Sequence, residues 1–282
     1  MEVKFQKYHG TGNDFIIIDD RRLQFLAGTD DPERTIRKLC DRRFGIGADG
    51  LMLLRQAEAH DFEMLYYNAD GRPGSMCGNG GRCITAFAHD LGLTGETAVF
   101  LAPDGTHQAR VIHVSGINRT VSLEMNDVHI NPAQELPQDL PAMHALFLDT
   151  GSPHLVLFRD DTETLDAETI GRQVRHHPAF APEGVNVNFV CHKEDGVLFV
   201  RTYERGVEAE TFSCGTGVTA SAIAAFSGQN KPKPDLYRLI TSGGELQVSF
   251  KPPPEPEWPF TDIRLTGPAV KVFEGVVWME DA

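Results

Sequence analysis

Two stretches of the chain carry the same short pattern. Ser75-Met76-Cys77-Gly78-Asn79-Gly80 and Phe212-Ser213-Cys214-Gly215-Thr216-Gly217 each place a cysteine before Gly-x-Gly, and each runs on into a segment with helical character. Glycine suits a chain that turns tightly or lets its backbone approach a ligand closely. A helix that begins there presents N–H groups with no intrahelical acceptor, together with the positive end of its dipole. Both lower the pKa of a thiol and hold a carboxylate. One motif thus supplies a reactive sulfur and an anion cradle.

Two matched thiols suit proton transfer across a carbon centre. A thiolate removes a proton from one face of the carbon while a thiol returns one to the other face. The reverse reaction exchanges the roles, so the two sites should look alike. Both sulfurs reach one carbon only if they lie roughly 6–7 Å apart. Helix-start N–H groups would stabilise the charge that spreads onto a substrate carboxylate. The reaction class is racemisation or epimerisation α to a carboxylate. Other thiol chemistries fit less well. A zinc site wants clustered ligands such as C-x2-C, a thiol oxidoreductase wants C-x-x-C, and a cysteine hydrolase has no use for a second matched cysteine. "GTGNDF" and "GIGADG" have phosphate-loop glycines without the loop's lysine. Cys40, Cys83 and Cys191 fall on apolar faces and read as core.

The 282 residues carry 26 basic and 40 acidic side chains, a formal charge of −14. That balance opposes a sequence-independent grip on nucleic acid or an anionic membrane. No apolar run approaches membrane-spanning length and the start lacks a signal-peptide core, so a cytosolic protein with reduced cysteines is expected. Strands are expected at Val3–Tyr8, Asp14–Asp19, Phe62–Tyr67, His107–Val114, Thr120–Met125, Leu155–Phe158, Val185–Cys191, Val197–Tyr203, Glu245–Phe250 and Val270–Trp278. Helices are expected at Pro32–Arg43, Gly80–Leu91, Thr164–His176 and Gly215–Phe226. The fold class is α+β, with largely antiparallel sheets. The helices fall two per half, and the cysteine phrase leads into the second of each pair. This suggests two similar domains with a boundary near Glu124–Pro141. The helix after Cys214 is small and apolar almost all round and must be buried on every side, as a sheet wrapped around it would achieve. The Cys77 helix has an apolar face of Cys83, Ile84, Phe87, Ala88 and Leu91, with Arg82, His89 and Asp90 keeping another face polar. Lys251–Phe260 reads as an exposed, proline-rich loop.

"HGTGNDF", "GIGADG", "YNADG", "CGNGGRC", "GSPH", "VNVNF", "YERG" and "CGTG", in this order over nearly the whole chain, resemble the diaminopimelate epimerases. The resemblance implies two pseudo-symmetric domains, each a β-sheet around a central helix, with the active site in the cleft between them. The expected limits are residues 1–122 with 268–282, and 123–267, the last strand returning to the first domain. It implies Cys77 and Cys214 as the acid/base pair, with Gly78, Asn79, Gly215 and Thr216 cradling the carboxylate at the reacting centre. Asn13, Asn68 and Asn186 are implied as substrate-binding amides. Glu204 and Arg205 are implied at the distal amino-acid end, and His154 and Glu204 as tuning cysteine protonation. The substrate would be diaminopimelate, interconverted between LL and meso forms on the way to lysine and peptidoglycan, without pyridoxal phosphate or metal. A homodimer is expected from the family alone.

Three departures touch recognition of the distal end: Gly50 where many members have Gln, Ser152 where many have Asn, and one extra residue between Arg205 and Cys214 in "GVEAETFS". They leave open a two-cysteine racemase of another amino acid, such as histidine. From a different class, a thiol redox or binding module would bind ligand without turning it over.

Overall fold

The computed structural model describes residues 2–131, 135–228, 234, 236–255 and 258–279. The chain divides into two compact units, Met1–Leu123 with Gly267–Ala282, and Glu124–Thr266. Part of the boundary stretch read from sequence, residues 132–134, lies outside the described residues.

The first unit is built from β1 (Glu2–Gly10), β2 (Asn13–Asp19), α1 (Pro32–Cys40), β3 (Gly50–Arg55), β4 (Phe62–Asn68), α2 (Gly78–Asp90), β5 (Thr97–Ala102), β6 (Gly105–Ser115) and β7 (Asn118–Glu124). The second contains β8 (His144–Asp149), β9 (Pro153–Phe158), α3 (Ala167–Arg175), β10 (Asn186–Glu194), β11 (Val197–Glu204), β12 (Ala209–Thr211), α4 (Gly215–Gly228), β13 (Leu236–Thr241) and β14 (Gly244–Lys251). The last strand, β15 (Thr261–Trp278), pairs with β14 through Thr266 and, from Val270 onward, with β1. Among the described residues no helix is long and apolar enough to cross a membrane.

The duplication is plain in the pairing. Along β1 to β7 the neighbours pair antiparallel, parallel, antiparallel, parallel, antiparallel, antiparallel. The same series recurs along β8, β9, β10, β11, β13, β14 and β15, with β12 as an extra strand on β11. Each parallel step needs a crossover, and a helix makes every one: α1 and α2 in the first unit, α3 and α4 in the second. In the first unit β15 lies beside both β7 and β1, which closes the sheet on itself.

Side chains on successive strand residues point to opposite faces, and here each face serves a different helix. Leu155, Leu157, Val187 and Phe189 pack with Val174 on the α3 side. Val156, Phe158 and Val190 pack with Val218, Ile223 and Ala225 on the α4 side. In the first unit Ile16, Ile18, Leu51 and Leu53 meet Ile36 and Leu39 of α1. The opposite face of β3 and β4 carries Met52 and Met64 toward Gly80 at the start of α2. The outer helices have polar faces and capped ends: Asp31 accepts from the Arg34 N–H and Asp166 from the Thr169 N–H, both at 3.0 Å.

The inner helices are different. From Gly217 to Ala225 every residue of α4 is buried, and so is every residue of α2 from Gly78 to Ala88. Buried hydroxyls must find partners, and they do so within the helix: Thr85, Thr219 and Ser221 each bond to the carbonyl four residues back at 2.7–2.9 Å.

The Cys77 helix departs from its sequence reading at two points. Arg82 is fully buried rather than part of a polar face, because backbone and amide acceptors surround its guanidinium. Leu91 lies beyond the helix end and is exposed. The proline-rich stretch is likewise anchored at both ends. Lys251 closes β14, and Phe260 is buried against Phe226 and Phe250 and bridges to Val128; residues 256–257 lie outside the described set.

Packing of α3 on β11 makes one stability prediction. A Cβ added at Gly171 would lie 2.4 Å from the Tyr203 Cβ, whereas one at Gly95 meets nothing within 4 Å. Gly171→Ala is expected to cost about 1–3 kcal/mol in urea unfolding, and Gly95→Ala to stay within about 0.5 kcal/mol of the parent.

Candidate active site

Both cysteines of the repeated phrase cap inner helices. The Gly81 N–H donates to the Cys77 carbonyl at 2.7 Å, and the Val218 N–H donates to the Cys214 carbonyl at 2.9 Å, so each cysteine sits at the N-cap. The N–H groups of the next three residues then point out of the helix end. Cys77 is half-buried and Cys214 buried; all five cysteines are free thiols, and Cys40, Cys83 and Cys191 are buried in the interior. Burial is the leading cause that pushes the Cys83 thiol up to about 12, and it takes Cys40 to about 12 as well. Neither is a thiolate at neutral pH.

A second repeat supports the first. The turn from β1 to β2 reads Thr11-Gly12-Asn13, and the turn from β8 to β9 reads Thr150-Gly151-Ser152. Both glycines have positive φ, +89° and +97°. Each turn brings its third residue to the helix start of its own unit.

In the first unit the Asn13 side-chain oxygen lies 3.6 Å from the Cys77 sulfur and 3.5 Å from the Asn79 Nδ2. Its orientation follows from its neighbours. The Asp49 carboxylate can only accept, so it takes the Asn13 NH2 at 2.8 Å and leaves the amide oxygen facing Cys77. Arg82 can only donate. It holds the Asn79 oxygen at 3.0 Å, reaches Thr11 Oγ1 at 3.4 Å, and donates to the carbonyls of Gly78 (3.2 Å) and Pro268 (3.4 Å). Burial lowers the Arg82 pKa from its ordinary value, and ionised Cys83 or Cys77 opposes that shift. Burial raises the Asp14 carboxyl, but bonds from Arg42 and Lys7 more than reverse this and hold it well below the usual carboxylate range. Arg42 also bridges to Asp49 at 2.7 Å. The Asn79 side chain is therefore packed beneath the helix start, buried with Arg82. Asn68 ends β4 beside Gly50, exposed, with its backbone in a turn to Gly71 and Arg72. Gly50 leaves room for Tyr66: a Cβ there would lie 2.5 Å from the Tyr66 ring.

In the second unit Ser152, His154, Asn186 and Thr216 gather at the start of α4. His154 is fully buried, with Nε2 2.8 Å from Thr216 Oγ1 and 3.0 Å from Ser152 Oγ, and Nδ1 3.0 Å from the Asn188 side-chain nitrogen. Thr216 Oγ1 is in turn 3.4 Å from the Cys214 sulfur. Asn186 donates to Ser152 Oγ and the Pro153 carbonyl, and accepts from the Arg205 N–H at 2.8 Å. It thus ties the Glu204–Arg205 turn to the same cluster. Asp49, Asn188 and Thr202 were not singled out in the sequence and Arg82 was read as part of a polar face; each holds a member of the hydrogen-bond network around a cysteine. A polar residue at a strand position facing the inner helix was the available signal for Asn188.

Burial, and after it the Arg205 charge, pull the His154 pKa from 6.5 down to about 3. The ring is therefore neutral at neutral pH. Because the folded pKa lies below the unfolded one, His154 contributes stability above pH 6.5 that is lost as pH falls toward 3. The expected result is a His154 ring NMR signal that does not titrate between about pH 5 and 8, with unfolding midpoints declining below about pH 6.5.

Residues 5–129 and 146–272 match the family model for diaminopimelate epimerase. Diaminopimelate epimerase of Flavobacterium psychrophilum is 43% identical over 98% of this chain and 100% of its own length; that of Chlorobaculum tepidum is 40% identical over 95% and 98%. A Bacillus anthracis phenazine biosynthesis protein of the PhzF family shares the fold with a TM-score of 0.72 at 14% identity, over 99% of this chain and 100% of its own. A probable proline racemase from Agrobacterium radiobacter does so with 0.69 at 16%, over 99% and 93%. With matched helix-capping thiols in both halves and relatives of this identity along nearly its whole length, the chain belongs to the diaminopimelate epimerase family and is an isomerase.

Proposed function

We propose that the chain interconverts LL- and meso-diaminopimelate, with Cys77 and Cys214 as the acid/base pair acting on opposite faces of one α-carbon. The observation that carries this reading is the doubling itself. A cysteine caps the inner helix in the same topological slot of each unit, at the second parallel crossover. Chemistry that runs in both directions needs such equivalence, since the base of one direction is the acid of the other.

In this reading the N–H groups after each cysteine receive the substrate α-carboxylate and the negative charge that develops as the α-proton leaves. Asn13, Asn68 and Asn186 bind polar groups of the substrate, and Ser152 stands in for a longer amide at its position. Glu204 and Arg205 engage the distal ammonium and carboxylate, an Arg fork being suited to a carboxylate. The epimerised product supplies lysine and peptidoglycan synthesis.

The test is proton NMR of LL-diaminopimelate in D2O with the reduced protein. Deuterium is expected at one α-carbon, with meso product. Cys77→Ala and Cys214→Ala are each expected to lower kcat/KM by about 10²–10⁴-fold. Exchange into histidine in place of diaminopimelate would move the substrate, and full activity in either variant would refute the two-thiol mechanism.

A further inference from the structure

We propose that Asn188 is a positioning residue: it fixes the tautomer of His154 and so turns the Thr216 hydroxyl toward the Cys214 sulfur. The inference rests on the reading of Cys214 as an acid/base thiol.

The direction of each hydrogen bond in the cluster can be assigned from groups that play only one role. The Leu155 carbonyl only accepts. It lies 3.4 Å from one terminal atom of the Asn188 amide, which makes that atom the NH2 group. The other amide terminus is then the oxygen, and the Thr202 hydroxyl donates to it at 3.0 Å across the β10–β11 pair. With its NH2 group toward His154, Asn188 donates to Nδ1 at 3.0 Å. A neutral imidazole that accepts at Nδ1 carries its proton on Nε2. That proton goes to Thr216 Oγ1 at 2.8 Å or Ser152 Oγ at 3.0 Å. Once Thr216 Oγ1 accepts from His154, its own proton is free to point at the Cys214 sulfur, 3.4 Å away. A hydroxyl donated to sulfur favours the thiolate.

The packing shows that the site is built around Asn188. It is fully buried, as are His154 and, nearly, Thr202. A Cβ on Gly217 would lie 2.3 Å from the Asn188 oxygen, so the second glycine of the cysteine phrase makes room for this amide. Charged groups on the elements around α4 are engaged elsewhere than at Nδ1. Asp149 at the end of β8 accepts from the Gly151 N–H, and Glu245 of β14 pairs with Arg238. Arg205, following Glu204, acts on His154 by charge and helps keep it neutral.

Asn188→Asp inverts the chain. A carboxylate can only accept, so Nδ1 would carry the proton, Nε2 would accept from Thr216, and the sulfur would lose the hydrogen bond from the Thr216 hydroxyl. Thr216→Val removes the same donor without adding charge, and Thr216→Ser keeps it. Two readouts test this without substrate: ¹⁵N NMR of the His154 ring, and iodoacetamide alkylation of Cys214 against pH, with Cys77 in the same molecule as reference. The parent should show the Nε2–H tautomer, and Asn188→Asp the Nδ1–H tautomer. Both Asn188→Asp and Thr216→Val should slow Cys214 alkylation at about pH 7 by roughly three- to tenfold and raise its midpoint by about one pH unit. Cys77 should stay unchanged, Thr216→Ser should behave as parent, and the double variant should be no slower than Thr216→Val. An Nδ1–H tautomer in the parent, an unchanged Cys214 in Asn188→Asp, or equal slowing of both thiols would overturn the proposal. Failure of the epimerase reading would appear separately, as no α-deuterium exchange by the parent.

Discussion

The architecture of each unit depends on a helix whose whole circumference is buried. Such a helix cannot send its first N–H groups to water through its own sides, and it carries partial positive charge at its N-terminal end. The sheet must curl around it to cover the apolar surface, and the two parallel steps in each pairing series arise because chain must leave the sheet to form a helix and then return. What stands at the positive end of the helix is therefore chemically exceptional. In both units it is a cysteine followed by glycines.

The two ends share a scaffold but not their supports. Around Cys77 the polar groups are locked by charge: Asp49 fixes the Asn13 amide and Arg82 fixes the Asn79 amide. Around Cys214 the supports are neutral: a buried imidazole, two amides and three hydroxyls. The Asn13 oxygen faces the Cys77 sulfur as an acceptor at 3.6 Å, while the Thr216 hydroxyl lies 3.4 Å from the Cys214 sulfur and, with the His154 tautomer proposed above, donates to it. On that proposal the two thiols sit beside groups of opposite hydrogen-bonding sense, as a resting pair of one acid and one base would need.

Much of this was legible in the residues. All four helices stand where periodicity and caps put them, and the ten expected strands are present. The strands that escaped notice include one buried on both faces. Gly50–Arg55 reads GLMLLR, a continuous apolar run without alternation, because α1 covers one side and the barrel interior the other. Thr97–Ala102, His144–Asp149 and Leu236–Thr241 are only six residues each, too short for alternation alone to mark them. The cysteine phrase announced itself because a thiol followed by two closely spaced glycines is an unusual way to start a helix. Arg82 did not, since a charged residue on a helix that also carries His89 and Asp90 suggests a wet face. Only the tertiary structure shows the four acceptors that surround it. Asn188 was hidden for a similar reason: Asn186 and Asn188 look alike in "VNVNF", but one ties loops together and the other sits under a histidine.

If two different groups handle the proton on the two faces of the α-carbon, the isotope pattern of the first turnovers must show it. The most direct measurement is the isotopic content of substrate and product within the first few per cent of turnover in D2O, starting from protiated LL-diaminopimelate. A two-thiol mechanism predicts that the meso product carries solvent deuterium at the inverted carbon while unreacted LL-diaminopimelate stays protiated. Protium retained in the product, or deuterium entering the unreacted substrate as fast as product forms, would mean that one group serves both faces and would contradict the account.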